Sequence, residues 1–171
     1  MGTVLFFKEL HVKNETVPNT VATFFATVGG LGHVPWGPGS WGSGLGLLLG
    51  VLTVRTLRQP VSPLLLIGSF VIAALLCAHA ERELGRHDPP MVILDEVWAM
   101  WAIVVVLPWI TISWSRLLVA FLLFRLFDIT KPAPLKHLAR LPSGLGIMAD
   151  DLGAAVYSVL ILWLLRQLIH W

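Results

Sequence analysis

The most constraining feature of this chain is a series of long apolar segments with few charged residues. Residues 16–54 contain no Asp, Glu, Lys or Arg. Of the 171 residues, 56% are hydrophobic and 13% are charged, and the mean hydropathy is +0.79. A helix needs about 20 apolar residues to cross a bilayer, so the chain has room for about five such helices. The sequence therefore predicts an all-α integral membrane bundle that forms a single domain over residues 1–171.

Glycines, prolines and polar connections divide the apolar segments. Ten Gly and Pro residues between positions 29 and 46 interrupt the first segment, so one straight helix cannot pass through it. We interpret residues 19–30 as a short embedded or re-entrant helix and residues 31–43 as a loop. Because an open sheet edge is not viable in lipid, we expect no strands. Five membrane helices are predicted, at residues 44–57, 64–80, 91–108, 116–129 and 152–168.

Composition excludes several classes of protein. The net charge of +2 is too small to indicate a nucleic-acid partner. Cys77 is the only cysteine and lies in an apolar segment, so we expect it to pack in the core rather than to form a disulfide or a thiolate metal site. The first residues, MGTVLFFKELHVK, lack the features of a secretory signal, so we expect no processed leader. The oligomeric state is left open.

The predicted helices place three loops on one side of the membrane, at residues 31–43, 81–90 and 130–151. Five Lys and Arg residues lie in or beside these loops, against four on the other side. Cytoplasmic loops carry an excess of Lys and Arg. We therefore expect these three loops to be cytoplasmic.

Three charged residues at the end of the fourth predicted helix are unusual for a chain of this kind. Arg125, Asp128 and Lys131 are each three residues apart, so on a helix they share roughly one face. A carboxylate at the centre of a membrane helix costs about 2.5–3.5 kcal/mol, so such residues usually face a bundle interior and mark function. Two cations and one acid suit a phosphate and a metal. An ion-paired helix end at the membrane surface is the alternative.

Acidic residues form a second set. Asp95 and Glu96 fall about 7–9 Å into the third predicted helix, at the depth of a lipid phosphate. Together with Asp128, Asp150 and Asp151 they offer five carboxylates, and such hard oxygen ligands favour Mg²⁺ or Mn²⁺. For Asp150 and Asp151 alone, an acidic N-terminus of the last helix is the alternative.

The segment GHVPWGPGSWGS, residues 32–43, is a candidate wall of the site. Backbone that is not helical must be buried in protein or meet water at membrane depth. We expect Ser40 and Ser43 in this wall to contact substrate. A surface turn is the alternative interpretation.

The sequence also resembles a known family. HDPPMVILDEVWAMW, residues 87–101, and FRLFDITKPAPLKHLARLPSGLGIMADDLGAAVY, residues 124–157, are similar to the signature stretches of bacterial phosphatidylglycerophosphatase A. Residues 32–43 resemble its glycine–proline loop. The likeness covers about residues 20–168 and leaves residues 1–18 outside. It implies a Mg²⁺-dependent phosphatase of the bacterial cytoplasmic membrane that converts phosphatidylglycerophosphate to phosphatidylglycerol.

The resemblance also implies a set of site residues. The acids expected to matter, as metal ligands, are Asp88, Asp95, Glu96, Asp128, Asp150 and Asp151. His87, Arg125 and Lys131 are expected beside them. Four positions depart from the family pattern by exchanging one small residue for another, which affects packing more than activity: Ser40, Ala99, Ser143 and Ala155.

The chemistry of a phosphate monoester suggests roles for these residues. Lys131 and Arg125 are expected to neutralise phosphoryl oxygens, with Mg²⁺ held by the carboxylates. The nucleophile is either an oriented water or an aspartate, for which Asp128 is the candidate. His87 is a candidate to protonate the leaving glycerol oxygen, and a loop histidine without a chemical role is the alternative. Both one and two metal ions are compatible with the sequence.

Other functions fit the sequence less well. Pro142-Ser143-Gly144 is followed by Leu145 rather than the His of histidine-dependent lipid phosphatases, and the acidic run of the CDP-alcohol transferases is not found. Another phospholipid head-group enzyme ranks second. A small metal-ion or proton transporter ranks third, because residues 102–115 and 159–165 contain no charge that could continue a conduction path.

Overall fold

The computed structural model describes residues 20–57, 59–138 and 144–169, and within these ranges the chain contains helices and no strands. The predicted all-α class is therefore confirmed. The N-terminal residues 1–18, Arg140 and Ser143 lie outside the described residues. The described ranges contain seven α-helices: α1 (Val21–Ala26), α2 (Pro38–Leu57), α3 (Pro63–Leu84), α4 (Leu94–Val106), α5 (Trp114–Thr130), α6 (Leu135–Leu138) and α7 (Gly144–Ile169). Short 3₁₀ turns lie at Leu31–His33 and Pro108–Ile112.

Two predicted loops are partly helical, which corrects the sequence-based boundaries. Helix α2 begins at Pro38, so residues 38–43 are helix rather than loop. Proline is tolerated in the first turn of a helix, where its missing N–H has no partner to lose. Helix α7 begins at Gly144, eight residues before the predicted start. Burial of Ile147 and Met148 offsets the low helix propensity of the neighbouring glycines.

The predicted N-terminal helix is also shorter than expected. Helix α1 ends at Ala26, and the chain then turns through Gly29 and Gly30, whose φ angles of 65° and 91° favour glycine. The hydroxyls of Thr20 and Thr23 donate to the Glu83 carboxylate at the end of α3. These bonds fix α1 against α3 beside the start of α4.

The tightest helix pair is α2 with α4, and it depends on glycine. Gly39, Gly42, Gly46 and Gly50 are spaced by three and four residues, so they form one face of α2, and all four are buried. A Cβ at Gly50 would lie 2.6 Å from the Val104 Cβ, and one at Gly46 would overlap the Val97 carbonyl oxygen. Close approach over small residues is a common way for helices to pack in membranes.

Among the described residues, two helices are long and apolar enough to cross a membrane, Pro63–Leu84 and Gly146–Leu168. Their mean hydropathies are 2.1 and 1.6. Helix α4 has only 13 residues, which corresponds to a length of about 20 Å against the roughly 30 Å of a hydrocarbon core.

Cys77 is fully buried beside Ala73 and Ala80, as expected for a packing residue.

Candidate active site

Helix α4 supplies two acids at its first turn. Asp95 and Glu96 follow Leu94, and Asp95 is only 6% exposed. The start of the helix is fixed by the Ile93 N–H, which donates to the Ala26 carbonyl oxygen at 3.1 Å. Asp95 Oδ1 and Glu96 Oε2 are buried and have no hydrogen-bond partner among the described residues. These two oxygens are therefore available to a ligand.

Helix α7 brings Asp150 and Asp151 to the same place. They are the seventh and eighth residues of α7, in its second turn, and are 5% and 3% exposed. The helix dipole acts mainly within the first turn, so an acidic helix N-terminus does not account for this pair. Asp150 Oδ1 and Asp151 Oδ2 are buried and lack a partner in the described part of the chain.

Helix α5 contributes Arg125 and Asp128 on one face, as their spacing predicts. The Arg125 Nη1 donates to Asp128 Oδ2 at 2.5 Å, and both side chains are mostly buried. Asp128 also lies close enough to Asp151 for their carboxylates to interact. The Nε of Arg125 is buried with no partner among the described residues, so it retains a hydrogen bond to donate.

Lys131, the residue directly after the end of α5, connects α5 to α7. Its φ of 40° is in the left-handed region, and its ammonium donates to Asp150 Oδ2. Partial burial acts to lower the pKa of Lys131, but the hydrogen bond and charge of Asp150, with the charges of Asp88 and Asp151, raise the pKa overall. The side chain is therefore a stable cation, and 30% of it remains exposed.

Helix α2 closes the site with glycine and serine. A Cβ at Gly39 would overlap Glu96 Oε1 and would lie 3.0 Å from Arg125 Nη1. Ser43 is buried; its hydroxyl donates to the Gly39 carbonyl oxygen at 2.7 Å and accepts from Arg125 at 3.4 Å. Gly39 and Ser43 thus contact the acidic site from the first turns of α2, whereas Pro35, Trp36 and Gly37, which precede the helix, are exposed as a surface turn would be. The predicted Ser43 lies at the site, whereas Ser40 is exposed on α2.

Two further predicted residues, Asp88 and His87, lie at the edge, in the loop between α3 and α4. Asp88 is exposed and within electrostatic range of Lys131 and Asp150. The His87 Nδ1 contacts Glu81 Oε1 at 2.5 Å, and its side chain is 55% exposed. The structure therefore brings Asp95, Glu96, Asp128, Asp150 and Asp151 together and leaves His87 outside this group.

The acids form a candidate metal centre. One carboxylate oxygen each from Asp95, Glu96 and Asp151 lie within 4.8 Å of one another. Packed carboxylates repel unless a cation lies between them or they hold protons. Their unpartnered buried oxygens fit a divalent cation, because such ions take carboxylate oxygens as ligands.

Sequence reasoning missed the contact of Gly39 with Glu96 and Arg125. The available signal was the spacing of Gly39, Gly42, Gly46 and Gly50, which places small residues along one helix face. The prediction of a loop over residues 31–43 treated these glycines as breaks in a helix, so their shared helix face was not recognised.

Comparison with known proteins identifies the family. The family model described as Phosphatidylglycerophosphatase A matches residues 24–166. Relatives named phosphatidylglycerophosphatase A are 33% identical over 138 residues in Haemophilus influenzae and 32% identical over 143 residues in Escherichia coli. These alignments cover 80% and 83% of this chain, and 83% and 80% of the relatives.

A third relative carries a different name. A putative phosphatidylinositol-3-phosphatase of Bacteroides thetaiotaomicron is 29% identical over 157 residues, which are 89% of this chain and 98% of that protein. No solved structure matches the chain. The family model and the two relatives above 30% identity confirm the resemblance drawn from residues 87–101 and 124–157, and the chain belongs to the phosphatidylglycerophosphatase A family.

Proposed function

We propose that this protein is a membrane phosphatase that hydrolyses the phosphate monoester of phosphatidylglycerophosphate to give phosphatidylglycerol and phosphate. Membership of the phosphatidylglycerophosphatase A family and the names of two relatives support this activity. The observation that carries the proposal is the buried cluster of Asp95, Glu96 and Asp151 beside the cations Arg125 and Lys131. Such a site matches the charges of a metal-bound phosphate.

We propose Mg²⁺ as the metal. Asp95, Glu96 and Asp151 would hold it, with Asp128, Asp150 and Asp88 completing the acidic surroundings. An all-carboxylate donor set favours hard cations such as Mg²⁺ over Zn²⁺ or Cu²⁺. When bound, Mg²⁺ supplies Lewis-acid polarisation of a phosphoryl oxygen.

The two cations are proposed to bind the phosphate. Arg125 is held in orientation by Asp128 and Ser43, and its free Nε–H is proposed to donate to a non-bridging oxygen. Lys131 is partly exposed and is proposed to bind the same phosphate from the side of α7. Donors fixed in advance stabilise the charge that develops in the transition state without reorganisation.

Two routes for the attack on phosphorus are proposed, and they differ in the role of Asp128. Its carboxylate either accepts a proton from a water that attacks phosphorus, or attacks phosphorus itself to give a phospho-aspartate, which a water then hydrolyses to free phosphate and the aspartate. His87 is proposed to protonate the leaving glycerol oxygen from the loop between α3 and α4. Acid quenching of turnover with labelled substrate separates the routes, since only the second leaves label on the protein.

The membrane setting is proposed to involve about five helices, α2, α3, α4, α5 and α7, in one domain of the bacterial cytoplasmic membrane. Helices α3 and α7 would cross the bilayer, and the shorter α2, α4 and α5 would pack between or beside them. The predicted excess of Lys and Arg supports a cytoplasmic position for the loops at the acidic end.

The direct test is phosphate release from purified protein in detergent with phosphatidylglycerophosphate, with and without Mg²⁺. We expect release that depends on Mg²⁺ and is abolished by EDTA. Failure of the folded protein to release phosphate from this lipid would overturn the proposal.

A second candidate substrate is phosphatidylinositol 3-phosphate, because the Bacteroides relative bears that name and aligns over 98% of its length. Both lipids present a phosphate monoester on a head-group alcohol. A direct comparison of kcat/KM for the two lipids in the same micelles assigns the preferred one. We expect phosphatidylglycerophosphate to be preferred.

A further inference from the structure

An apolar groove lies below the acidic site, between α3, α4 and α7. Its cavity volume is about 410 Å³, within the range of about 300–1,000 Å³ that is typical of ligand pockets. All its lining residues are apolar, and they include Phe70, Trp98 and Val156. The Trp98 indole N–H donates to Ser69 Oγ at 3.0 Å, so the polar group of this ring already has a partner. The groove therefore offers only carbon surface to an occupant.

The walls of the groove continue the helix faces that carry the acids. On α4, Trp98 and Ala102 follow Asp95 at three and seven residues, on the same helix face. On α7, Ala155 and Val159 follow Asp151 by four and eight residues, also on one helix face. A molecule bound by its phosphate among the acids would thus meet the upper end of the groove.

The groove is open to the side between the two helices that can cross a membrane. Ile67 of α3 is 62% exposed, and Val156 and Leu160 of α7 are 47% and 52% exposed. In a bilayer these residues would face hydrocarbon. An occupant could therefore enter laterally from the lipid phase without crossing water.

We propose that this groove receives one acyl chain of the lipid whose phosphate binds at the acidic site. The assignment rests on the proposed function and names a chain-binding subsite for the same substrate. The groove and the acidic site share two helices, which gives a lipid with one polar and one apolar end a continuous surface. Because the chain leaves surroundings that are equally apolar, the contacts act by shape and by orienting the head group rather than by hydrophobic transfer.

A kinetic experiment tests the subsite. Two forms of phosphatidylglycerophosphate are assayed in the same micelles, one with two hexanoyl chains and one with two palmitoyl chains. The measured quantity is kcat/KM for the palmitoyl lipid divided by kcat/KM for the hexanoyl lipid. Val156→Trp and Ile67→Trp fill the groove from opposite walls. We expect either variant to lower this ratio about tenfold. Leu164→Trp, on an exposed position of α7 that does not line the groove, should leave the ratio unchanged.

The outcomes separate this inference from the proposed function. Wild-type protein that hydrolyses neither lipid would overturn the proposed function and with it the assignment of the groove. Wild-type protein that hydrolyses both lipids, with a ratio unchanged in both groove variants, would overturn the groove alone. Each variant must elute as a single folded species in detergent. Because the two substitutions lie on different helices, the test still stands if one variant misfolds.

A binding experiment distinguishes the groove from general contact with lipid. Phosphatidylglycerophosphate bearing a photoreactive group in one acyl chain is irradiated with the protein, and the labelled peptides are mapped. We expect labelling of the groove residues Ile67 and Val156 that unlabelled substrate competes away and phosphatidylcholine does not. Equal labelling of Leu118 and Leu122, which are exposed on α5, would overturn the proposal.

Discussion

Lys131, the C-cap residue of α5, donates a hydrogen bond to Asp150 in the second turn of α7. The pair lies at the edge of the acidic cluster, with Asp150 buried and Lys131 partly exposed. It joins the helix that carries Arg125 and Asp128 to the helix that carries Asp151. The contact therefore fixes the relative positions of two halves of the proposed phosphate site.

We expect Lys131→Met to weaken both folding and substrate capture. The change leaves the buried Asp150 carboxylate without its cation, which typically costs about 1–3 kcal/mol of unfolding free energy. Asp150→Asn in the same chain should recover part of this loss, and a double-mutant cycle should give a coupling of about 0.5–3 kcal/mol. Unfolding in detergent measures the stability. Additive effects of the two substitutions would show that the pair does not couple.

We expect Gly39→Ala to lower turnover by about 10²-fold, because the added Cβ overlaps Glu96 Oε1 and displaces the Arg125 guanidinium. Gly44→Ala is the matched control on the same helix, since a Cβ there meets no atom within 4 Å. It should keep its activity, because alanine is the better helix former. Phosphate release by the two folded variants is the measurement. Equal activity would show that α2 does not shape the site.

The sequence predicted the helical class and the acids of the cluster. Charged side chains in an apolar chain are costly to place in lipid, so they are expected to face the interior of the helix bundle, where they come together. The spacing of Arg125 and Asp128 predicted their shared face, and the structure has the two side chains in contact. Local patterns sufficed here, since both residues belong to one helix.

The helix boundaries near the site could not be predicted in the same way. Pro38, Gly39 and Gly42 have low helix propensity, yet they are helical because only small residues let α2 approach α4 so closely. The early start of α7 likewise depends on the burial of Ile147 and Met148 against other helices. Such tertiary contacts override local propensity. They are not visible in a single sequence.

We expect the loops at the acidic end to be cytoplasmic. In a Cys77→Ala background, single cysteines at Arg86 and Lys136, both exposed, should resist a membrane-impermeant thiol reagent in intact cells. A cysteine at Gln59, an exposed position in the connection between α2 and α3, should react and serves as the control. All three should react after the cells are permeabilised. The reverse pattern in intact cells would place the site outside.

We expect Asp151→Asn and Asp128→Asn to abolish most turnover while folding is retained. The amides keep the shape of the carboxylates but remove negative charge. Asp151 belongs to the group in which one oxygen each of Asp95, Glu96 and Asp151 converge within 4.8 Å, and Asp128 interacts with Asp151 beside it. Loss of an electrostatic contact to the transition state typically costs about 10²–10³ in rate, and loss of a metal ligand can cost more.

Metal binding by the same variants can be measured without turnover. Mg²⁺ should raise the thermal midpoint of the wild-type protein, because a ligand that binds only the folded state stabilises it. Asp151→Asn should raise the midpoint in metal-free buffer, since it relieves repulsion among the buried acids, and should abolish the increase caused by Mg²⁺. Lys131→Met should retain that increase, because Lys131 is not a proposed ligand. If Asp128→Asn and Asp151→Asn both kept near-normal turnover and the Mg²⁺ response, these acids would not form the active site.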